Sequence, residues 1–354
     1  MVRALTEIAG DPGRIHEEGM AARVALEVAR AQVAELIGAR TREIVFTSGA
    51  TEAIAAAVWG AAQRNPAKDH QVVTAVEHSA VRFSAERAGP VTVVPVDHHG
   101  RVDLEDVLAA IGPTTAAVHV QWGNHEVGTI QPVAEVVAAC REQGVLVHVD
   151  AAQAAGRIPI AFDELGADLL SLSGHKLGGP AGTGALVVRR GLRLAPLLVG
   201  GDQERARRAG LEPVAALIGL GAAAEAVHAS LGDEAAAAVR LTDRIRAGAA
   251  QIDGVTSYGD PHHRLPHLVC LGIEGIEPQG VLLGLDRAGV AAHSGSACSS
   301  ESLEPSPVLE AMGVDAHRSL RLSVGWSTGD DDVDRLLDAL PTTIDRLRDL
   351  GRRL

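Results

Sequence analysis

A chain of 354 residues is long enough to bury a large core and divide into two domains, and its net charge of −13 excludes the broad basic field by which proteins hold nucleic acid. Hydrophobic residues make up 46% of the chain but aromatic ones only 2%, so Ala, Val and Leu must fill that core. Cys140, Cys270 and Cys298 are an odd number and include no Cys-x-x-Cys pair, so neither a disulfide framework nor a zinc site is suggested. With no signal peptide and no unbroken apolar run of about 18 residues, the expected setting is a reducing cytoplasm without membrane contact.

In chain order, Ile15 to Ile37 has the spacing of a long amphipathic helix, stopped by Gly38. Seven apolar strand-like runs follow: Glu43–Phe46, Gln71–Val76, Val91–Val96, Ala116–Trp122, Val145–Asp150, Asp168–Leu172 and Gly184–Val188. Helical patterns at Glu52–Gln63, Ser79–Arg87 and Val133–Gln143 lie between them. Runs apolar throughout and separated by helices predict an α/β fold, a mostly parallel sheet covered on both faces. From about Asp233 the pattern changes to a long helix ending near Ile252, a polar stretch at Gly259–Pro266, mixed pieces, and a helical region at Asp330–Leu350. Pro341 is expected to break or kink that last region. The expected organisation is a large domain over 14–232 and a smaller α+β domain formed by 1–13 and 233–354.

Ligands of open α/β sheets sit beyond the carboxyl ends of the strands, so the residues that follow each run carry the functional reading. After the first run, Thr47-Ser-Gly-Ala50-Thr51-Glu52 is small and hydroxylated and opens a helix, an arrangement suited to phosphate as well as to ordinary capping. After Gln71–Val76 comes Glu77-His78-Ser79, where His78 is either a helix-start histidine or a ring lying on a cofactor. Asp150 ends the fifth run, three residues before Gln153; a buried acid there needs a partner. The protonated ring nitrogen of pyridoxal phosphate (PLP) is one such partner, and a cap on the next turn is the alternative.

After Asp168–Leu172 comes Ser173-Gly-His175-Lys176 and a Gly/Pro-rich turn. Of the 32 Lys and Arg residues only two are lysine, Lys68 in a polar loop and Lys176. Arginine stays protonated, whereas lysine can lose its proton and bond covalently to a carbonyl, which points to Lys176 as a PLP lysine. Cys298 lies in the small-residue stretch from Ala291 to Pro305, unlike Cys140 and Cys270 in apolar runs, and reads as an exposed nucleophile.

Together these residues resemble the cysteine desulfurase family, the NifS/IscS-like branch of the class V PLP enzymes. The likeness extends from Asp11-Pro-Gly-Arg-Ile-His16 to Ser319-Leu-Arg-Leu-Ser-Val-Gly325. Its most specific pieces are Thr47–Glu52, Val76-Glu-His-Ser79, His148-Val-Asp-Ala-Ala-Gln153, Ser173-Gly-His-Lys176 and Ser294-Gly-Ser-Ala-Cys298. The resemblance implies the fold type I PLP transferase architecture. It implies that Lys176 carries PLP, that Asp150 pairs with the ring nitrogen and that Gln153 bonds its phenolic oxygen. Ala50, Thr51, Ser173 and His175 would hold the phosphate, His78 would stack on the ring, and Asn124 and Arg321 would face the substrate. L-cysteine would yield L-alanine and a persulfide on Cys298, with Lys176 removing the Cα proton and His78 carrying protons. A homodimer and a sulfur-acceptor protein, a scaffold or a thiolation factor, are the implied partners.

Three departures from the family pattern bear on the site. His125 stands where the family tends to have a second Asn that reaches cofactor and substrate. Leu211 stands where a Thr usually bonds the phosphate, and the chain begins after the family's usual Asp-Asn-Ala-Ala-Thr-Thr-Pro strand. The alternatives kept open are a PLP lyase acting on selenocysteine or another sulfur amino acid, and a non-catalytic paralogue that binds a sulfur-pathway partner.

Overall fold

The structure, a computed structural model, describes residues 1–8, 10–294 and 305–352, so Cys298 lies outside the described residues. The chain forms two compact units. Unit 1 comprises Met1–Val94, Leu104–Trp122 and Pro132–Leu231, and unit 2 comprises Pro95–Asp103, Gly123–Gln131 and Gly232–Leu354.

The first half of the chain supplies α1 (Val2–Glu7), α2 (Glu17–Leu36), β1 (Ile44–Thr47), α3 (Ala50–Arg64), β2 (His70–Thr74), α4 (Ser79–Ala88), β3 (Val91–Val94), α5 (Leu104–Ala109), β4 (Thr115–Gln121), α6 (Val133–Glu142) and β5 (Leu146–Asp150). After these come α7 (Phe162–Leu165), β6 (Leu169–Ser173), β7 (Gly184–Val188), α8 (Gln203–Ala206) and the long α9 (Val214–Ala249). The remainder of unit 2 adds β8 (Val255–Tyr258), β9 (Leu268–Ile273), α10 (Pro278–Arg287), β10 (His293–Ser294), α11 (Pro307–Ala311), β11 (Ser319–Ser323) and α12 (Asp330–Gly351).

Unit 1 is built on a seven-stranded sheet in the order β1-β7-β6-β5-β4-β2-β3. All seven expected strands are present, and the sheet is mostly parallel: only β7 runs against its neighbours, β1 and β6. The inner strands β4 to β7 are buried at every residue, which is why their sequences show apolar runs rather than alternation. The edge strand β3 departs from the expected cover on both faces, since Thr92 and Val93 are exposed. Ala53, Ala57 and Ala61 bring α3 onto the sheet with almost no side-chain bulk, and this packing replaces the missing aromatic residues.

The long helix α9 begins at Val214 rather than near Asp233, with 214–231 in unit 1 and 232–249 in unit 2. Its apolar window has a mean hydropathy of 1.6, enough by length and composition to cross a membrane. Leu217, Leu220 and Ala224 are instead buried by protein, and a Cβ on Gly221 would come within 2.6 Å of Ala29 on α2. Small residues there let two helix backbones approach closely.

The second unit has a four-stranded antiparallel sheet, β10-β11-β9-β8. It packs on α10, α12 and the end of α9 through a core that includes Leu241, Val281, Leu320 and Leu340. Of the break or kink expected at Pro341, no break is present: α12 runs through it from Asp330 to Gly351. Losing one backbone hydrogen bond costs about 3 kcal/mol, and burial of Leu336, Leu340 and Ile344 on one face offsets it.

The units differ from the expected division at three places. Residues 1–13 belong to unit 1, and two internal segments, 95–103 and 123–131, belong to unit 2. Hydrogen bonds explain the second difference. Arg101 donates to the Ile130 carbonyl (2.7 Å), Thr129 to that of His99 (2.6 Å), and the Asp260 N–H to the Thr129 hydroxyl (3.0 Å). These tie both segments to a polar stretch far along the chain, which periodicity does not reveal.

Candidate active site

The antiparallel β7 gathers the chemistry of unit 1. Gly184, at its start, pairs with Thr47 on one side and Ser173 on the other, so the turn into α3 and the turn carrying Lys176 lie side by side. A Cβ on Gly184 would sit 2.6 Å from the Gly49 Cα, so only glycine permits this approach. The turn opening α3 is closed by its own residues: the Ser48 N–H donates to Glu52 Oε2 (2.8 Å), and Arg208 pairs with Glu52 at 2.9 Å. Ala50 and Thr51 therefore stand at the N-terminus of a fifteen-residue helix, where backbone N–H groups and the helix dipole favour an anion.

Lys176 lies half-buried in a short 3-10 turn, Gly174–Leu177, directly after β6. Arg157 donates to its carbonyl at 3.3 Å, and Gly178 ends the turn in the left-handed region at φ 78°. Ser173 Oγ and His175 Nδ1 are 2.8 Å apart. Partial burial and the neighbouring Lys176 charge lower the His175 pKa, which favours the neutral ring beside that cation.

Asp150 ends β5 with 6% of its surface exposed and pairs in register with Gln121 and Ser171. Its Oδ1 accepts from the Ala152 N–H (3.0 Å) and from the Ser171 hydroxyl (3.3 Å). Gln153 is half-buried three residues on. His78 caps α4, its Nδ1 accepting from the Ala80 N–H at 3.1 Å, so the neutral ring carries its proton on Nε2. Glu77 holds the turn before it: Oε1 accepts from the Thr74 hydroxyl and the Gln121 N–H, both at 2.7 Å.

Unit 1 thus gathers Ala50, Thr51, His78, Asp150, Gln153, Ser173, His175 and Lys176 at the carboxyl ends of parallel strands, while Asn124, His125 and Arg321 belong to unit 2. Asn124 Oδ1 accepts from the backbone N–H groups of Glu126 and Val127, both at 2.8 Å, closing a buried turn. The following carbonyl, that of His125, accepts from Arg321 at 3.0 Å, and His125 Nε2 lies 3.6 Å from Glu126 Oε1. Leu211 is 63% exposed.

The chain belongs to the class-V aminotransferase family. Its residues 1–336 match that family. It is 42% identical to a protein named cysteine desulfurase IscS 1 from Archaeoglobus fulgidus, over 99% of this chain and 94% of that one. A cysteine desulfurase of a Nostoc species is 41% identical over 98% of this chain and 89% of its own. Among solved structures, a NifS-like protein superimposes with a TM-score of 0.90 at 30% identity, covering 98% of this chain and 94% of the other. The apo cysteine desulfurase of Thermococcus onnurineus reaches 0.88 at 25% identity, over 98% and 90%. The NifS-like fold expected from the motifs is the fold observed, and the class-V family is one of PLP-dependent proteins.

Sequence reasoning missed four buried polar residues on the face of this class-V sheet that carries Asp150: Gln71, His119, His148 and Ser171. The available signal was spacing. His148 stands two residues before Asp150, Ser171 two before Ser173, and His119 two before Gln121, so each points to the same face as its successor. Burial alone lowers the His119 pKa to about 4 from 6.5. The neutral ring is therefore favoured in the fold, and its contribution is complete above about pH 6.5 and lost as pH falls through about 4. By linkage this is worth about 3 kcal/mol. Urea unfolding is expected to show stability falling steeply from pH 6.5 to 4, and His119→Gln is expected to flatten that limb.

Proposed function

We propose that this chain is a cysteine desulfurase that uses PLP to take the sulfur from L-cysteine, releasing L-alanine and passing the sulfur through a persulfide on Cys298 to an acceptor protein. The observation that carries this reading is the grouping of a lysine, a buried acid and a helix N-terminus at adjacent strand ends, in a chain whose relatives bear that name. The donor set fits PLP. The N–H groups at Ala50 and Thr51 with Ser173 and His175 suit its phosphate, Asp150 suits its ring nitrogen, Gln153 its phenolic oxygen, and Lys176 its aldehyde.

When bound, PLP supplies the electron withdrawal that weakens bonds at the substrate Cα. Lys176 Nζ takes the Cα proton. His78 stacks on the ring, with its Nε2 exchanging protons, Arg321 receives the substrate carboxylate, and Asn124 faces the substrate. His125 assists through its imidazole in place of the usual Asn. The Cys298 thiolate attacks the substrate sulfur: the new S–S bond forms as the substrate C–S bond breaks, the carbon leaves at the level of alanine, and the Cys298 sulfur is oxidised to persulfide.

A second copy of the chain completes the assembly on this reading. Met20, Val24 and Val28 recur every four residues along α2 with more than half of each exposed, an apolar stripe that a second copy would cover. The acceptor is an iron–sulfur scaffold or a thiolation factor, and the working place is the cytoplasm.

The test is the visible spectrum with PLP before and after L-cysteine, with sulfide and alanine assayed in the same sample. A lysine-dependent band that shifts with cysteine, with sulfide and alanine formed in step, is expected. Cys298→Ala is expected to abolish sulfide formation while leaving the band. Binding without turnover would reject cysteine as substrate, and no band in excess PLP would reject the catalytic reading altogether.

A further inference from the structure

Arg321, which receives the substrate carboxylate on the reading above, needs something to aim it. It stands on β11, in register with His293 of β10 on one side and Cys270 of β9 on the other, and is half-buried. An arginine side chain is long and rich in rotamers, so its direction has to be set by what holds its head. That head donates through Nη1 to the His125 carbonyl at 3.0 Å, which spends one N–H and leaves others for a carboxylate.

The carbonyl is itself fixed from several sides. A trans peptide points its N–H and its C=O opposite ways, so holding the Glu126 N–H holds the His125 carbonyl. Asn124 Oδ1 accepts that N–H at 2.8 Å, and the Asn124 N–H donates to the Thr129 carbonyl at 2.9 Å, closing the turn. The Glu126 side chain then fastens the turn to a helix. It is 2% exposed, and its Oε2 accepts from the Ser306 hydroxyl at 2.5 Å, a short bond to a carboxylate. Ser306, fully buried, also accepts from the Leu309 N–H at 3.2 Å and so caps α11. Glu126 Oε1 lies 3.6 Å from His125 Nε2. Burial pushes the Cys270 thiol up to about 12; the Glu126 charge adds to that rise while Arg321 and Arg246 oppose it, so carboxylate and guanidinium act on one buried thiol. An apolar side chain would fill the place of Glu126 at less cost, and a carboxylate there points to a task beyond packing.

We propose that Glu126, fastened by Ser306, is a positioning residue that aims Arg321 at the substrate α-carboxylate by fixing the His125 carbonyl, and so makes the site select amino acids over plain amines. The proposal rests on the PLP reading above and deepens it by naming what orients the carboxylate receptor. Glu126 does not touch the substrate. With the turn fastened, Arg321 is held ready before the ligand arrives; with the turn loose, binding must first order it.

The experiment titrates the PLP-loaded full chain with L-alanine and with ethylamine, following the visible band. Both ligands present an amine to the cofactor aldehyde, only L-alanine presents a carboxylate, and neither has a sulfur for Cys298 to attack. Wild type is expected to prefer L-alanine, and Arg321→Ala to lose that preference. Glu126→Ala is expected to weaken L-alanine about ten-fold, the scale of one hydrogen bond to a charged group, and to leave ethylamine unchanged. Glu126→Gln keeps an oxygen that accepts from Ser306 and is expected to lose less. In the Arg321→Ala background, Glu126→Ala is expected to add no further loss, because its effect passes through Arg321. Ser306→Ala is expected to act in the same direction as Glu126→Ala, and decides alone should that variant not fold. Equal weakening of both ligands by Glu126→Ala or Ser306→Ala, or no weakening of either, overturns the proposal and leaves the cofactor reading standing. A preference that survives Arg321→Ala also overturns it, by removing the receptor. A wild type that forms no band overturns both.

Discussion

Lys176→Ala is expected to lose at least about a thousand-fold in the rate of alanine formation from L-cysteine, the scale on which a positioned proton-transfer group contributes, with covalent attachment lost besides. Lys68→Ala is expected to leave the rate unchanged. Borohydride reduction of the loaded protein, followed by peptide mass analysis, separates the two: the cofactor should be fixed on the peptide containing Lys176 and absent from that containing Lys68. The expectation rests on position as much as on residue type. Lys176 follows β6 in a tight turn whose carbonyl is held by Arg157 and whose end is set by Gly178, while Lys68 sits between α3 and β2. Lys176→Arg keeps a positive charge and is expected to fail equally, because a guanidinium does not give up its proton. Cofactor fixed on any other residue would remove Lys176 from its role.

Arg30→Met is expected to destabilise the protein by about 3–5 kcal/mol, read from urea unfolding, because it leaves a carboxylate buried without its partner. Arg30 and Glu204 have side chains only 2% and 1% exposed and meet through two bonds of 2.5 and 2.8 Å. Glu204 also accepts from the Phe46 N–H at 2.8 Å. The guanidinium lies 4.5 Å from the Phe46 ring centre and donates to the Ile44 carbonyl at 3.1 Å. This pair fixes the turn at 204–206, where Glu204, Arg205 and Ala206 take φ of 48°, 60° and 58°, a left-handed path that costs about 1–2 kcal/mol per non-glycine residue. Arg208, just beyond, pairs with Glu52 at the start of α3, so weaker PLP binding is expected to accompany the lost stability. The double variant Arg30→Met with Glu204→Gln is expected to recover part of the loss, because no buried charge is then left unpaired. A single variant within about 0.5 kcal/mol of wild type would show that the pair is not buried in solution.

How much of this was legible in the sequence follows from the range of each interaction. Strands β1 to β7 were readable because their short runs are mostly apolar and bounded by turns, and α2, α3, α4 and α6 because a surface helix repeats every 3.6 residues. The strand-end positions of Asp150, His78 and Lys176 were readable because each follows such a run directly. That the chain stays helical through Pro341 was not readable, because a local rule about one missing N–H says nothing of the burial of Leu340 and Ile344 on either side. The early start of α9 was hidden because Ala and Gly are uninformative until a second backbone is known to lie against them.

The sequence by itself determined the alternation of strand and helix, the residues standing at the strand ends, and the resemblance that named the chemistry, since all three rest on residues adjacent in the chain. Only the tertiary structure decided that β7 runs backward to place Gly184 between Thr47 and Ser173. It likewise decided that Arg30 meets Glu204 across the fold, that 95–103 and 123–131 join unit 2, and that Gln71, His119, His148 and Ser171 line up behind Asp150. Each of these depends on the register between distant segments, and register is set by the packing of the whole sheet, which no local pattern of residues encodes.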